Sequence, residues 1–303
     1  MKIDVLGLER AMIISIGEVV WDIFPERRVL GGAPVNVAYH LRCLGLEVGV
    51  ITRVGPDELG DRTIGTMTAL RLPVAGVQHG ELPTGTVKVT MDKNNEPLFD
   101  IVKPAAWDNI DLAEAAEFIG PRPFKLVFGS LAQREERSRR TIRNLWQKAG
   151  QRFYDVNLRP PDTSRAIVEE SLAVADLVKL NGAELLEVGL WHNLSGNERK
   201  GIARELMDRY NIAVLVVTEG AAGAWLLDGD NYFQAPASPV KVADTVGAGD
   251  AFFATLLAGY ENGLGWQKCL DQATERGGYV ASQHGATPPM PDMASQKVRS
   301  TAS

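Results

Sequence analysis

The sequence predicts an α/β fold: a parallel sheet with helices on both faces, three layers deep (α/β/α), accompanied by a small β-sheet. Two observations carry this prediction. Short apolar runs recur at residues 12–16, 48–54, 126–128, 153–156, 177–180 and 214–218, and segments of helical spacing stand between them. Continuous apolar runs of that length read as strands buried on both sides, which is what a parallel sheet under two helix layers requires. Helical spacing shows at Ile142, Leu145, Trp146 and Ala149, and again at Ile202, Leu206 and Tyr210. Pro34 and Gly45 bracket a further helix, one as an early helical residue and the other as a stop.

One stretch breaks the alternation. Residues 84–91 and 98–102 carry apolar side chains at every second position around a polar 92–96 turn, the pattern of a hairpin. An isolated hairpin is marginal, so it is expected to pair with the extended stretch near residues 21–30. Phe99 and Trp107 are candidates either to cover a ligand there or to join the core.

The 303 residues, 45% hydrophobic and 23% charged, fit one domain, placed at residues 1–290, with a loose tail over 291–303. A net charge of −6 weighs against nucleic acid as a partner and says nothing about a local anion site. Cys43 and Cys269 have neither metal nor disulfide spacing, so a reducing cytoplasm is expected. Residues 1–10 lack a continuous apolar core and no stretch reaches spanning length, so neither secretion nor membrane insertion is expected. His40, His79, His192 and His284 show no metal or triad spacing.

The densest chemistry lies at residues 242–253, Val-Ala-Asp-Thr-Val-Gly-Ala-Gly-Asp-Ala-Phe-Phe. A strand-like stretch leads through Gly247 and Gly249 into an apolar helix whose first turn offers free N–H groups and a partial positive charge, a site for phosphate. Asp250 beside it would repel phosphate unless it has other work, and accepting a proton is that work. A plainer reading makes the glycines a turn and Asp250 a helix-start acid. The segment is neither a Walker A loop nor a Rossmann fingerprint. In an open parallel sheet ligands gather beyond the carboxyl ends of the strands, where Asp155, Asn181, Thr218 and Asp244 are expected.

Residues 244–252 resemble the C-terminal signature of the ribokinase-like (PfkB) carbohydrate kinases. Gly31-Gly32-Ala33-Pro34-Val35-Asn36 is similar to the family's sugar-site element, preceded by Gly17-Glu18-Val19-Val20-Trp21-Asp22. Asn181-Gly182-Ala183-Glu184 resembles its Asn-x-x-Glu element, and Thr218-Glu219-Gly220-Ala221-Ala222-Gly223 its nucleotide loop. The resemblance spans roughly residues 12–290 and implies a ribokinase-like core, a lid formed by residues of about 21–31 and 84–106, and transfer of the γ-phosphoryl group of ATP to a sugar hydroxyl.

It also implies roles. Asp250 is the base, its pKa expected to be lowered by the helix N-terminus, which a loose phosphoryl-transfer transition state tolerates. Backbone N–H groups of Gly247, Ala248, Gly249 and Asp250 form an anion hole. Asp22 and Asn36 bind sugar hydroxyls, and Gly31 and Gly32 let the sugar approach. Asn181 and Glu184 act on Mg²⁺ through water. Thr218, Gly220 and Gly223, with Asn181 and Gly249, line the nucleotide. Arg159 suits a phosphate or an anionic transition state, or a structural salt bridge. Plainer readings stay open for the others: a turn at Gly31 and Gly32, a polar surface role for Asn36, a hairpin turn at 218–223.

Residues 17–22, 155–159 and 282–288 are most similar to fructokinases, next to 2-keto-3-deoxygluconate kinases and ribokinases. A nucleoside kinase of the same family and a catalytically silent sugar- or nucleotide-binding regulator are the alternatives. A potassium ion near the Asp244 loop and residues 282–285 is left open, since the ligands there are largely backbone carbonyls, as is the choice between a monomer and a homodimer formed through the lid.

Overall fold

In the computed structural model the described residues are 11–24, 26–91, 97–194 and 198–291. The expected 92–96 turn, the side chain of Phe99, residues 1–10 and the expected tail from residue 292 onward lie outside them. Along the chain, β1 (Met12–Ile16), β2 (Val20–Ile23) and β3 (Arg28–Gly31) precede α1 (Ala33–Cys43), β4 (Val48–Val54) and α2 (Glu58–Ala69). Then come β5 (Val77–His79), β6 (Thr86–Met91), β7 (Pro97–Ile101), α3 (Leu112–Ile119), β8 (Phe124–Gly129), α4 (Glu136–Trp146) and β9 (Arg152–Asp155). The second half holds α5 (Arg165–Leu172), β10 (Leu177–Asn181), α6 (Gly182–Trp191), α7 (Arg199–Tyr210), β11 (Val214–Thr218), β12 (Ala224–Asp228), β13 (Asn231–Ala235), α8 (Ala248–Glu261) and α9 (Trp266–Ala281).

The large sheet runs β13-β12-β11-β10-β9-β8-β1-β4-β5. Its strands pair in parallel from β11 to β5, and the β11–β12 and β12–β13 pairs at one end are antiparallel. Alternate strand residues feed two cores. Ile14, Leu126 and Tyr154 pack with Ile142, Leu145, Leu185 and Leu206 on the face covered by α3 to α7. Ile13, Val127 and Phe153 pack with Leu41, Met67, Phe253 and Leu270 under α1, α2, α8 and α9. The apolar runs therefore are strands buried on both faces, as the sequence predicts.

The small sheet runs β3-β2-β6-β7. The predicted hairpin is the antiparallel β6–β7 pair, and β2 joins it in parallel, placing Asp22 opposite Val87. The Trp21 indole N–H donates to Thr63 Oγ1 at 2.9 Å, tying the small sheet to α2.

Two expectations are corrected. Residues 242–246 form no strand; β13 ends at Ala235 and the chain reaches α8 through a loop, because Val242 (60% exposed) and Val246 (42%) find no partner strand or core. Asp244 accordingly stands in a loop and not at a strand end. Of the two roles left open for Trp107 the structure shows the core one: it is fully buried, with the Arg134 guanidinium 4.0 Å above its ring. No helix among the described residues is long and apolar enough to cross a membrane.

Candidate active site

Chain order sets the location. The sequence places β4 on one side of β1 and β8 on the other, so the residues just after β1 stand at the point where strand order reverses, where open α/β sheets hold their ligands. Glu18 follows β1 there, and β9, β10 and β11 end along the same edge of the sheet at Asp155, Asn181 and Thr218.

Gly247 is the residue that caps α8, with φ of 77°, and a Cβ on it would lie 2.4 Å from the Ala286 Cβ. Left-handed backbone and close approach both demand glycine there. No side chain caps the first N–H groups of α8, so they remain available to an anion. The Ala248 N–H is the exception to the expected anion hole: it donates to the Thr245 carbonyl at 3.3 Å, a long turn bond, which leaves Gly247, Gly249 and Asp250 as the principal donors. Lys179 Nζ approaches from below, 3.4 Å from where a Gly249 Cβ would stand.

Asp250 is half-buried in the first turn of α8, and its Oδ2 accepts from Asn36 Nδ2 at 2.8 Å. This bond joins residues 214 positions apart and brings the two sequence motifs into one site. The expected lowering of the Asp250 pKa is overturned. Burial and the nearby Asp155 charge push it up to about 6, and Asn36, Lys179 and Arg159 offset this only in part. Loss of hydration outweighs the helix terminus.

Beneath Asp250, Lys179 Nζ donates to both oxygens of Asp155, at 2.9 and 2.8 Å, with both residues buried. Asp155 and the more distant charges of Glu184 and Asp250 favour the protonated amine against its burial, so the Lys179 pKa rises. Glu18 is 4% exposed, and burial pushes its carboxyl up to about 7.

On the other rim, Asp22 projects from β2 near Gly31, whose Cβ would come within 3.4 Å of its Oδ2. Partial burial, then the Asp244 charge, raise Asp22 to about 6. Asp244 itself fastens the loop before α8, accepting from the N–H of Val246 at 3.0 Å and of Gly285 at 3.1 Å. Gly32 caps α1 at φ 112°, where a Cβ would stand 2.4 Å from the Glu18 carbonyl oxygen. Asn36 is 4% exposed, so it is no surface polar residue.

Asn181 and Glu184 form a capping box for α6. Asn181 Oδ1 accepts from the N–H of Ala183 and of Glu184, both at 2.9 Å, while Glu184 Oε2 accepts from the Asn181 N–H at 2.8 Å. Glu184 Oε1 also accepts from the Leu158 N–H at 2.9 Å, holding the loop after β9. Among the described residues no three His, Cys, Asp or Glu side chains cluster to hold a metal. A cation here would rely on water and ligand phosphates, which suits magnesium.

Thr218 stands beside Asn181 in the β10–β11 register, and Gly220 and Gly223 shape the turn into β12. These three residues line the neighbouring strand end and touch neither Asp250 nor Asn36. Glu219 is structural, receiving Arg199 at 2.9 Å and the Trp225 indole N–H at 3.2 Å. Arg159 is exposed, and its side chain donates to the Leu158 carbonyl at 2.8 Å. No ion pair among the described residues holds it, so the salt-bridge reading falls away.

Glu18 and Lys179 escaped the sequence reading. Lys179 left a signal: a lysine inside the apolar run Leu177-Val178-Lys179-Leu180 is costly unless paired. Glu18 left the same one, an acid just after a fully buried strand.

Residues 10–293 match the family described as pfkB family carbohydrate kinase. A fructokinase from Klebsiella pneumoniae is 34% identical over 262 residues, covering 80% of this chain and 82% of its own. Among solved structures, a sugar kinase from Pyrococcus horikoshii in complex with ATP superposes with a TM-score of 0.78 at 25% identity, over 92% of this chain and 95% of its own. A fructokinase from Vibrio cholerae with fructose, ADP and a potassium ion bound gives 0.81 at 24% identity, over 95% and 98%. The last likeness speaks to the fold alone.

Proposed function

The chain belongs to the pfkB family of carbohydrate kinases, and on that premise we propose that it transfers the γ-phosphoryl group of ATP to a hydroxyl of free fructose, with Asp250 as base. The observation that carries this reading is the 2.8 Å bond from Asn36 to Asp250, because it sets the sugar motif against the anion-binding helix start.

Asn36 and Asp22 orient the sugar. Its attacking hydroxyl faces the free oxygen of Asp250, and the first N–H groups of α8 receive the phosphoryl oxygens. The hydroxyl oxygen bonds to the γ-phosphorus, the bond from that phosphorus to the bridging oxygen breaks, the hydroxyl proton passes to Asp250, and ADP leaves. A carboxylate raised to about 6 is a better proton acceptor than an ordinary aspartate and is still mostly ionised near pH 7. Lys179, buried, adds positive potential beneath Gly249. Asn181 and Glu184 would hold Mg²⁺ through water, and the ion would screen phosphate charge there.

Thr218, Gly220 and Gly223 take the nucleotide side. Arg159, which no ion pair among the described residues holds, reaches the transferring phosphate. That guanidinium would also welcome an anionic acceptor such as 2-keto-3-deoxygluconate. Asp22 argues the other way, since it has no cationic partner among the described residues and would face the acid.

The test is ADP release from ATP and Mg²⁺ against fructose, ribose, 2-keto-3-deoxygluconate, adenosine and fructose 6-phosphate. Fructose giving the highest kcat/KM supports the reading. Preference for another acceptor keeps the kinase and discards fructose, and binding of nucleotide with no turnover on any acceptor discards the kinase reading of this chain.

A further inference from the structure

The buried carboxyl of Glu18 has an unmet need that matches one on Asn36. Glu18 Oε2 is shut away from solvent with no hydrogen-bond partner, and so is Asn36 Oδ1. Both side chains belong to residues only 4% exposed. Both stand by the first turn of α1: the N–H of Ala33, the first residue of that helix, is directed at the Glu18 carboxylate, and Asn36 lies one turn further on. Helical side chains lean back toward the N-terminus, which carries the Asn36 amide toward Glu18. Two buried acceptors without donors are unfavourable, and a single proton shared between them would remove both deficits.

We propose that Glu18 works as a neutral carboxylic acid that donates to Asn36 Oδ1, locking the amide so that its Nδ2 faces Asp250. Glu18 is then a positioning residue, acting on the base through Asn36. If Glu18 were ionised, the amide would be drawn to turn round, offering Nδ2 to Glu18 and setting Oδ1 against the Asp250 carboxylate. Asp250 would lose the donor that fixes its free oxygen toward the sugar.

The surrounding charges are divided. Burial and the charge of Asp250 on α8 favour the proton on Glu18, whereas Arg159 from the loop after β9 and the N–H groups of Glu18 and Ala33 favour the anion. The balance leaves the group at about 7, and donation from the neutral form to Asn36 holds the proton further.

This inference rests on the kinase reading for its kinetic arm and not for its spectroscopic one. kcat with fructose and ATP–Mg²⁺ is measured against pH for the wild type, Glu18→Gln and Glu18→Ala, and the infrared spectrum of ligand-free wild type is compared with that of Glu18→Gln. In the wild type kcat falls on the alkaline side with a midpoint above about 7. Glu18→Gln, whose amide donates at every pH, lacks that limb. Glu18→Ala lowers kcat by about tenfold at pH values below that midpoint, the worth of one hydrogen bond, and lacks the alkaline limb, with little change in nucleotide KM. A carboxylic-acid C=O band present near pH 6 in the wild type and missing in Glu18→Gln supports the proton directly. An alkaline limb that persists in Glu18→Gln, or the absence of that band, overturns the proposal. If no sugar is turned over, the kinase reading fails and the infrared band alone decides the state of Glu18.

Discussion

Asp250 can take a proton only when ionised, and its pKa of about 6 sets where that happens. We expect kcat/KM to fall as pH drops through about 6, and not through the ordinary carboxylate range near 4. The same raised pKa carries a stability signature of defined sign. The folded chain binds this proton more tightly than the unfolded one, so the site adds stability at low pH and withdraws it as pH rises through about 6. Asp250→Asn removes the withdrawal, and its unfolding free energy should exceed that of the wild type at about pH 8, by an amount of order 1 kcal/mol after solvent screening, but not at about pH 4. Asp250 and Asn36 were legible in the sequence because their motifs have fixed spacing. The direction of the Asp250 shift was not, because burial beside Asp155 depends on the register of β9 and β10, which spacing does not disclose.

The start of α8 and the β9–β10 pair are the elements on which the site stands. Gly247→Ala would press a Cβ into Ala286 at 2.4 Å and strain a φ of 77°. A shift of the helix start by about an ångström lowers kcat by about 10²-fold, and kcat measured beside Tm separates this from simple unfolding. Lys179→Met leaves Asp155 buried and unpaired, which costs about 3–5 kcal/mol. Asp155→Asn in the same chain should recover part of that loss, and urea unfolding of the single and double variants reads the coupling. At this scale the sequence was a good guide where apolar runs were long: β1, β4 and β11 have the expected bounds. It misled at 242–246, where β-branched residues mimic a strand without a neighbour to pair with, and it passed over β13, whose burial is slight.

Across the whole molecule, the small sheet is the part we propose closes over the sugar, and its attachment is visible. Asp57, which caps α2, accepts from the Thr84 N–H at 2.8 Å and from Thr84 Oγ1 at 2.7 Å, pinning the approach to β6. Asp57→Ala should raise the KM for the sugar by about tenfold and leave the nucleotide KM little changed, since only one side of the cleft loses its anchor. Equal rises in both constants would mean that Asp57 supports the core at large. The two-sheet arrangement was readable from the hairpin pattern, whereas the Asp57–Thr84 clamp was not, because it joins residues 27 apart through side chains no periodicity marks.

The central claim is that one site, assembled by the Asn36–Asp250 bond, moves a phosphoryl group with Asp250 taking the proton. The most direct measurement is kcat for fructose and ATP–Mg²⁺ near neutral pH, Asp250→Asn beside the wild type, with nucleotide affinity determined for both. A fall of about 10² to 10⁴ in kcat with nucleotide binding retained is the predicted result. Turnover near that of the wild type would contradict it.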